Sequence, residues 1–469
     1  MSVLWTSAEA EAATLGAAGT PFAASGVSID TRTLKPGDLF VALNGAMRDG
    51  HEFVRAAFAA KASAALVSRK PPGISETASL LTVANTLRAL EDLGRASRAR
   101  CHAKIIAVTG SAGKTTTKEM LRLACGALGA THASAASYNN HWGVPLSLAS
   151  MPKEAEFGIF EIGMNHFGEI RSLVSFVRPH VALITTIAPA HLEFFGSCEA
   201  IADAKSEIFE GIVPGGAAVL PADSPYAERL RARAKQANVG RILSFGKEAG
   251  ADARLVSLQD CAEGMRIEVQ VLGREAHFRL QASGLHLAIN AVGALLAVAA
   301  AEGDTLNAAA ALSTFSALKG RGARFRISFR GGPIEIVDES YNANPASMAA
   351  ALDVLSRLEP AAAGRRIAVL GDMLELGTEG PALHASLVKN IDDARVDLIF
   401  LAGPAMRALW DVLPASRRGA YAETSGALAP QVVNAVRAGD VVLVKASNGI
   451  RMSQIVEALK KSDQKGEAA

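Results

Sequence analysis

The stretch from Lys104 to Met120 (KIIAVTGSAGKTTTKEM) restricts the folds that this chain can adopt. Its β-branched beginning, Lys104–Thr109, predicts a buried parallel strand. Glycines then interrupt the strand, and a helix is expected from Lys114 onward. A strand, a glycine turn and a Lys-Thr pair at a helix start form the layout of a phosphate-binding loop. The chain is therefore expected to be an α/β protein with a mainly parallel sheet around this loop.

Each part of this loop suits the binding of phosphate. Glycines allow backbone N–H groups to point at phosphate oxygens, and the helix N-terminus adds a partial positive charge. Lys114 can reach the outer phosphates of a nucleotide, and the Thr115 hydroxyl is placed to bind Mg²⁺. The alternative is a glycine-rich turn with an incidental lysine, since Val108 stands where the longer motif has glycine. We expect an ATP or GTP site formed by Gly110, Ser111, Ala112, Gly113, Lys114, Thr115 and Thr116.

The composition gives no reason to expect a nucleic-acid or membrane partner. The 469 residues suffice for two to four domains, and the net charge is only +2. Four widely spaced cysteines suggest a reducing compartment, and the N-terminus lacks the pattern of a signal peptide. The apolar stretch 287–301 is too short to span a bilayer. We expect a cytoplasmic monomer that is not embedded in a membrane.

Three units are expected along the chain, covering residues 1–100, 101–322 and 323–469. The first has the pattern of a small α/β domain, with polar residues at the ends of its predicted strands. Ligands bind at such strand ends in α/β domains, although the same side chains can instead cap turns or lie as surface charges. The candidate binding residues of this unit are Ser28, Asp30, Arg32, Asn44 and His51.

The second unit alternates strands and helices, so polar residues at its strand ends should converge beside the phosphate loop. A strand over 157–162 delivers Glu161, and a strand over 181–187 leads to His191. Glu161 is a candidate Mg²⁺ ligand and His191 a second one. Either side chain can instead be a helix cap or a satisfied polar residue of the core.

Two further polar residues of the second unit lie on predicted helices. Lys205 lies among acidic residues in the helix 198–211, a pattern that by itself is typical of a solvated helix face. Asn290 lies near the start of an otherwise apolar helix and needs a polar partner, either backbone or a ligand.

The third unit again alternates strands and helices. The glycine- and arginine-rich linker 318–324 before it predicts a flexible hinge that brings positive charge to a phosphate. Polar loops at 339–345, 372–377 and 446–452 follow predicted strands. The unit has no second phosphate loop, so we expect it to present a second substrate.

Together these motifs resemble those of the Mur ligase family, the ATP-dependent amide ligases of peptidoglycan precursor synthesis. The resemblance extends over essentially the whole chain. It rests on Thr109–Thr116 (TGSAGKTT), Glu161–His166 (EIGMNH), His191–Glu193 (HLE), Ala204–Phe209 (AKSEIF), Asn290, Arg324 and Asp338–Pro345 (DESYNANP). The last stretch resembles the motif of the member that joins D-alanyl-D-alanine to UDP-N-acetylmuramoyl-tripeptide. Asp30–Arg32 and Asp49–His51 match the UDP-sugar domain of that member, and the family's shorter phosphate loop accounts for Val108.

The resemblance implies an ADP-forming peptide ligase with three α/β domains. The first would bind the UDP-sugar, the second ATP, and the Rossmann-like third D-Ala-D-Ala. The tripeptide carboxylate would attack the γ-phosphorus of ATP, and the amine of D-Ala-D-Ala would then attack the acyl phosphate. Closure of the third domain would exclude water from this intermediate.

The resemblance also implies roles for single residues. The expected catalytic residues are Lys114, Lys205, His191 and Arg324. Two Mg²⁺ ions are expected at Thr115, Glu161, His191 and Lys205, the last of them carbamylated. Nucleotide contacts are expected from Asn290, Arg324 and Asp338. Further substrate contacts are expected from Asn139, Asn140, Tyr341, Asn342 and Asn344.

Other functions stay open at this point. A sister ligase that adds a different amino acid and a folylpolyglutamate synthase-like enzyme are the nearest. The loop at 340–345 argues against both, and the UDP-type first unit argues against the folate enzyme. A regulatory ATPase with partner-binding flanking domains is another class, but it gives Glu161, His191 and Lys205 no joint role. The sequence leaves open whether the third peptide residue is diaminopimelate or lysine.

Overall fold

The computed structural model describes residues 3–45, 48–135, 137–261 and 264–464. Within these residues the chain forms three separate open sheets and one two-stranded ribbon. Each sheet is built from one continuous length of the chain, and helices alternate with its strands. The expected three-part α/β architecture is confirmed.

The N-terminal sheet is the smallest of the three. The elements of this part are β1 (Trp5–Thr6), α1 (Ser7–Thr14), β2 (Ala17–Ala18), β3 (Ala23–Ala24), β4 (Gly26–Ser28), β5 (Asp38–Val41), a 3₁₀ turn (Gly50–Phe53), α2 (Val54–Ala59), β6 (Ala64–Val67), β7 (Leu80–Thr82) and α3 (Thr86–Arg100). The strand order is β2-β7-β6-β5-β4, and only β2 runs antiparallel to its neighbour. Thr6 and Glu9 form a capping box at the start of α1.

The central sheet has nine strands. The elements of this part are β8 (Lys104–Thr109), α4 (Lys114–Gly126), β9 (Thr131–Ala133), α5 (Gly143–Ala149), β10 (Phe157–Glu161), α6 (Glu169–Val177), β11 (Val181–Ile184), α7 (Leu192–Phe195), α8 (Cys198–Ser206), a 3₁₀ turn (Glu207–Gly211), β12 (Ala217–Pro221), α9 (Ala227–Gln236), β13 (Arg241–Gly246), β14 (Ala253–Cys261), β15 (Gly264–Val271), β16 (Arg274–Leu280), α10 (Leu285–Ala300) and α11 (Thr305–Leu312). The strand order is β16-β15-β14-β13-β12-β11-β8-β10-β9.

The phosphate-loop strand β8 lies in the interior of this sheet. It pairs in parallel with β10 on one side and with β11 on the other. Its side chains alternate between two cores, with Ile105 and Ala107 in one and Ile106 and Val108 in the other. This two-sided burial explains the uninterrupted apolar sequence of the strand.

One edge of the central sheet departs from the expected parallel arrangement. β14, β15 and β16 form an antiparallel extension, and a two-residue turn at Leu272 and Gly273 joins the last two strands. Both turn residues have positive φ, as a tight hairpin requires. Two predicted elements also end earlier than expected: β11 ends at Ile184, and α8 gives way to a 3₁₀ turn after Ser206.

The C-terminal sheet has six strands in the order β17-β18-β22-β19-β20-β21. The elements of this part are β17 (Ala323–Phe329), β18 (Gly332–Glu339), α12 (Pro345–Ser356), β19 (Arg366–Gly371), a 3₁₀ turn (Gly377–Glu379), α13 (Gly380–Asp393), β20 (Leu398–Ala402), α14 (Arg407–Val412), a 3₁₀ turn (Ala415–Arg417), β21 (Arg418–Ala422), α15 (Ser425–Ala435), β22 (Val441–Lys445), a 3₁₀ turn (Asn448–Ile450) and α16 (Ser453–Gln464). All neighbouring strands are parallel except β17 and β18.

The expected flexible hinge over 318–324 is partly wrong. Its last two residues, Ala323 and Arg324, already belong to β17 and pair with β18. The reversal itself lies just before them, where Gly320 and Gly322 have φ of +74° and +92°. Arg324 is therefore an outward side chain of an edge strand, whereas Arg321 lies in the turn before it.

The three parts pack against one another through side chains and backbone. α3 packs on α5, and the Trp5 indole donates a 2.8 Å hydrogen bond to the Ala149 carbonyl. One apolar core includes residues of both the central and the C-terminal part, among them Phe195, Met348 and Leu376. No helix within the described ranges is long and apolar enough to cross a bilayer.

Candidate active site

The phosphate loop lies at the carboxyl end of β8 and leads directly into α4. Gly113 has φ of +81°, and a Cβ at this position would lie 2.8 Å from Asn290 Nδ2. Gly110 is equally constrained, because a Cβ there would lie 1.9 Å from Thr185 Oγ1. Both glycines of the motif are thus required by close packing as well as by backbone conformation.

Lys114 is enclosed at the beginning of α4. Its ammonium donates a 2.8 Å hydrogen bond to the Gly110 carbonyl. Burial lowers the pKa of Lys114, with Glu161 opposing the decrease and Arg321 adding to it. A cation held in this way between a strand end and a helix start is suited to phosphate oxygens.

Glu161 joins the phosphate loop to the loop before α5. One carboxylate oxygen accepts the Thr115 hydroxyl at 2.8 Å, and the other accepts the Asn139 side-chain amide at 2.7 Å. Glu161 is almost fully buried at the end of β10. A hydroxyl and a carboxylate in contact beside a phosphate loop are hard oxygen donors, which fit Mg²⁺.

His191 lies just before α7 on the loop that follows β11. Its Nδ1 is 2.5 Å from the Glu375 carboxylate of the C-terminal part. In the described ranges, no three His, Cys, Asp or Glu side chains gather closely enough to hold a metal ion. Of the expected ligands, Thr115 and Glu161 are in contact with each other, and His191 is engaged by Glu375.

Lys205 lies on α8 and is buried, not solvated. Its ammonium has no hydrogen-bond acceptor within the described residues. Burial lowers its pKa well below the ordinary value, and the charge of Lys114 lowers it further. An amine in these surroundings is neutral more readily than an ordinary lysine. The interpretation as a solvated helix face is therefore wrong for this residue.

A cavity of about 720 Å³ lies at the phosphate loop, and residues of the central and C-terminal parts line it. Several predicted residues share it: Ser111, Ala112, Gly113, Lys114, Thr115, Thr116, Asn139, Glu161, His191, Asn290, Tyr341, Asn342 and Asn344. Gly110 lies behind the lining, with its carbonyl bound to Lys114. Lys205 also lies outside the lining, although its charge interacts with Lys114.

The C-terminal part contacts the phosphate loop directly. The Asn344 side chain caps α12 by accepting the Ser347 N–H, and its amide donates to the Ser111 carbonyl at 3.2 Å. The Tyr341 hydroxyl donates to Ser137 Oγ at 3.2 Å. The motif that follows β18 therefore forms one wall of the cavity.

The arginine that lines the cavity is Arg321, which the sequence analysis did not select. Its guanidinium lies 3.9 Å from the centre of the Tyr341 ring. Arg324 is instead paired with Glu335 and donates to Ser283 Oγ at 2.8 Å, outside the lining. The placement of Arg321 between two left-handed glycines is the signal that could have identified it.

Asp338 also lies outside the cavity lining. It is buried at the end of β18, where it accepts the Gly320 N–H at 3.1 Å and the Ser340 hydroxyl at 2.6 Å. These contacts hold the turn that carries Arg321. Asp338 thus supports that turn, and its predicted contact with a nucleotide stays a prediction.

The candidates of the N-terminal part do not line this cavity. Asp30 pairs with Arg32, which is largely exposed, and Ser28 Oγ donates to the Asp30 carbonyl. His51 is buried, with Nδ1 2.7 Å from Asp49 and Nε2 accepting the Ser68 N–H. Both ring nitrogens of His51 are thus engaged by residues of the N-terminal part.

Two other candidates lie in loops. Asn44 forms a bridge with Asp49, and Asn140 accepts the Gly143 N–H at the start of α5. Both interactions are local turn contacts. The predicted substrate contacts of both residues stay predictions.

His286, Glu339 and Lys445 are among the charged or titratable residues that line the cavity without having been predicted from the sequence. The Lys445 ammonium lies 3.1 Å from the Glu339 carboxylate and donates to the Asn342 carbonyl at 2.9 Å. Burial lowers the pKa of His286. Their positions at strand and helix ends were visible in the sequence, but their convergence depends on how the two parts pack.

The fold and this site define a phosphate-loop nucleotide-binding protein whose cavity is closed by a second α/β part. Three profiles of one family match the chain. The Mur ligase middle domain matches residues 108–298, the Mur ligase glutamate ligase domain 323–448, and the Mur ligase catalytic domain 23–115.

Individual relatives match nearly the whole chain. A UDP-N-acetylmuramoyl-tripeptide–D-alanyl-D-alanine ligase of Rickettsia prowazekii is 32% identical over 431 residues, which cover 92% of this chain and 94% of the relative. MurF from Acinetobacter baumannii superposes with a TM-score of 0.83 at 30% identity, covering 97% and 99% of the two chains. The MurF ligase from Thermotoga maritima in complex with ADP superposes with a TM-score of 0.77 at 26% identity, covering 94% of this chain and 98% of that one. The chain belongs to the Mur ligase family.

Proposed function

We propose that this protein joins D-alanyl-D-alanine to UDP-N-acetylmuramoyl-tripeptide in peptidoglycan biosynthesis, with hydrolysis of ATP to ADP and phosphate. The observation that carries the proposal is the shared cavity, in which the phosphate loop and Glu161 face the loop Tyr341–Asn344 of the C-terminal part. Curated relatives that cover nearly the whole chain bear the name of this reaction. A structural relative in complex with ADP supports the proposal that the nucleotide bound here is an adenine nucleotide.

The reaction proceeds in two transfers. A tripeptide carboxylate oxygen attacks the γ-phosphorus of ATP, the bond to the bridging oxygen breaks, and ADP leaves. The amine of D-Ala-D-Ala then attacks the acyl carbon and loses a proton, and inorganic phosphate leaves. The first transfer brings two anions together, so cations must offset their repulsion. We assign this role to Lys114 and Arg321, with the loop amides holding the phosphates.

Thr115 and Glu161 are the residues that we propose to hold one Mg²⁺, and His191 a second. Their donor atoms suit the ion, and the Glu161–Thr115 contact at 2.8 Å already brings two of them together. When bound, Mg²⁺ would neutralise charge on the β- and γ-phosphates. Asn139 keeps the second oxygen of Glu161 engaged and so fixes the orientation of the carboxylate.

Lys205 is proposed to be carbamylated. Carbamylation requires a neutral amine that attacks CO₂, and burial favours the neutral form of Lys205. The product is an anion, which would offset the positive charge of Lys114 nearby. We expect activity to fall in CO₂-free buffer and to return with bicarbonate, and ¹³CO₂ to give a carbamate carbonyl signal in ¹³C NMR. Lys205→Arg should show neither the signal nor the bicarbonate response; a wild-type protein that behaves like Lys205→Arg contradicts the assignment.

The substrates are assigned to the outer parts of the chain. We propose that residues 1–100 bind the UDP-sugar through loops containing Ser28, Asp30, Arg32, Asn44 and His51, together with Asn139 and Asn140 of the ATP-binding part, 101–322. Residues 323–469 would bind D-Ala-D-Ala through Tyr341, Asn342 and Asn344. Asn290 would contact the adenine, and Arg324 and Asp338 would support the nucleotide from the C-terminal part. The protein is proposed to act as a monomer in the cytoplasm, and its free cysteines support a reducing compartment.

Phosphate release from ATP tests this function. Purified protein with Mg²⁺ would receive the UDP-tripeptide and D-Ala-D-Ala separately and together, and the product would be identified by mass spectrometry. Release only with both substrates, with the mass of the UDP-pentapeptide, is the expected result. Release that ignores both substrates would favour a regulatory ATPase. Parallel reactions with diaminopimelate- and lysine-containing tripeptides would identify the third residue.

A further inference from the structure

The loop Asp372–Gly377, which follows β19, has no role in the proposed chemistry so far. It reaches from the C-terminal part to the residues that follow β11. Glu375 Oε2 lies 2.5 Å from His191 Nδ1, and the Glu193 N–H donates to the Glu375 carbonyl at 3.1 Å. One residue of the C-terminal part thus contacts both the side chain and the backbone of the candidate catalytic loop.

The backbone on both sides of this contact has an unusual conformation. His191 and Glu375 have φ of +60° and +62°. Left-handed backbone at residues other than glycine is uncommon and persists where the surroundings enforce it. At Gly377 a Cβ would lie 3.2 Å from Glu193 Cα, so the two backbones approach closely. The two loops are therefore fitted to each other.

The loop is also fixed to the C-terminal part. The Met373 N–H donates to His384 Nε2 at 2.9 Å, and the Leu374 N–H donates to Ser447 Oγ at 3.0 Å. Met373 and Leu376 are buried on either side of Glu375. Glu375 is consequently presented by a rigid support, although 42% of its own side chain is exposed.

Glu375 occupies the Nδ1 side of the His191 ring, and the rest of the side chain lines the cavity. Nδ1 is fully buried and within ion-pair distance of Glu375 but without a hydrogen bond of good geometry, whereas 22% of the side chain is exposed and the residue lines the cavity. A carboxylate held this close to one imidazole nitrogen restrains the orientation of the ring by contact and charge, so that the other nitrogen is available to a ligand. In His191 that other nitrogen is Nε2.

We propose that Glu375 is a positioning residue that orients His191 and thereby makes the assembled site depend on docking of the C-terminal part. For its effect on catalysis this inference rests on the proposed function. Glu375 acts through His191 and touches no substrate. Because the pair is partly exposed, its main effect is on geometry rather than on stability.

The test compares Glu375→Gln with Glu379→Gln, which removes the same charge four residues further on. Hydrogen exchange of the peptide 190–196 is measured by mass spectrometry on the full chain without nucleotide, metal or substrate. We expect exchange in Glu375→Gln to be about two- to fivefold faster, the range for loss of a partly exposed ion pair. Glu379→Gln should exchange like the wild type. Equal exchange in all three proteins overturns the proposal.

The kinetic arm measures phosphate release with both substrates. We expect kcat to fall about tenfold or more in Glu375→Gln with a KM for ATP within about twofold of the wild type, because supporting residues of ligating histidines have effects of this size. In a His191→Ala background the same substitution should change nothing further. An equal decrease in both backgrounds refutes action through His191. If the wild type shows no ligase activity, the proposed function fails, and the exchange comparison alone decides this inference.

Discussion

Lys114 lies between two other cationic side chains. The charge of Arg321 disfavours the charged form of Lys114, and the charge of Lys114 disfavours the charged form of Lys205. Glu161 is the carboxylate whose charge opposes that of Arg321 at Lys114. Buried like charges without full compensation are unfavourable, so this arrangement is suited to anions that arrive from outside. A triphosphate and a carbamate on Lys205 are such anions.

The charge of Arg321 at the cavity can be tested by substitution. We expect Arg321→Ala to lower kcat/KM for ATP by about 100-fold, the usual effect of removing one group that stabilises developing charge. Arg321→Lys should restore part of the loss, because it keeps the charge but not the flat contact with Tyr341. Steady-state phosphate release measures both variants.

Arg324→Ala is the matched comparison. Arg324 pairs with Glu335 on the same edge of the sheet, so we expect a decrease of less than about threefold. A larger effect in Arg324→Ala than in Arg321→Ala would show that Arg324 leaves Glu335 to reach the nucleotide, as the family resemblance implies.

The residues of the site were predictable to different degrees. The phosphate loop, Glu161 and His191 follow from strand ends next to a motif, which are local features. Lys205 needed the family resemblance, because a lysine among acidic residues on a helix gives no sign of burial. Arg321 had one local signal, the glycines on either side of it, whereas Glu375 had none, because its position depends on how two separate sheets pack.

At the scale of the element, α6 illustrates a cap that no local pattern reveals. The helix begins after Gly168, which has no side chain to cap it. Glu207, far along the chain, supplies the cap: its carboxylate accepts the Gly168 N–H at 2.8 Å and the Arg171 N–H at 3.1 Å. The same contact ties α6 to the end of α8, which carries Lys205.

We expect Glu207→Ala to lower the free energy of unfolding by about 1–3 kcal/mol, because it leaves two N–H groups at a buried helix start without their acceptor. Glu210→Ala removes an exposed partner of Arg171 and should lower it by less than about 1 kcal/mol. Urea denaturation measures both. Equal effects of the two substitutions would refute the capping role of Glu207.

Elements with a single strong pattern were predicted well. β8 has the predicted bounds, and strands precede the loops at 372–377 and 446–452 as predicted, because each is a short apolar run between polar residues. The segment 318–324 was taken for a hinge because of its glycines and arginines, although its last two residues begin β17, and the antiparallel edge of the central sheet was not predicted. In both cases pairing with a neighbouring strand, which a sequence window does not contain, determines the structure.

At the scale of the whole molecule, His180 links stability to pH. Its Nδ1 accepts the Ile105 N–H at 2.9 Å where the central sheet begins, so the native state requires the neutral ring. Burial lowers the pKa of His180 from 6.5 to about 4, with Arg98 and Lys104 adding to the decrease and Glu302 opposing it.

Between pH 6.5 and about 4 the unfolded chain therefore binds a proton at His180 that the native protein does not. Stability should fall as the pH is lowered through this window and should be unaffected by His180 above it. Urea midpoints measured from pH 7.5 to 4.5 test this expectation. His180→Asn, which keeps an acceptor without a charge change, should give a shallower fall. If the urea midpoint falls equally steeply with pH in both proteins, His180 is not the cause of the loss of stability.

The fitted contact between the two loops also has a consequence for how such chains can diverge. The His191–Glu193 segment and the Asp372–Gly377 loop are separated by nearly two hundred positions in sequence, yet each fixes the backbone of the other. Mutations accepted in one would have to be compensated in the other, so the two segments are expected to covary among relatives. A chimera that joins the first two parts of one ligase to the third part of another should then function only when both segments come from the same parent.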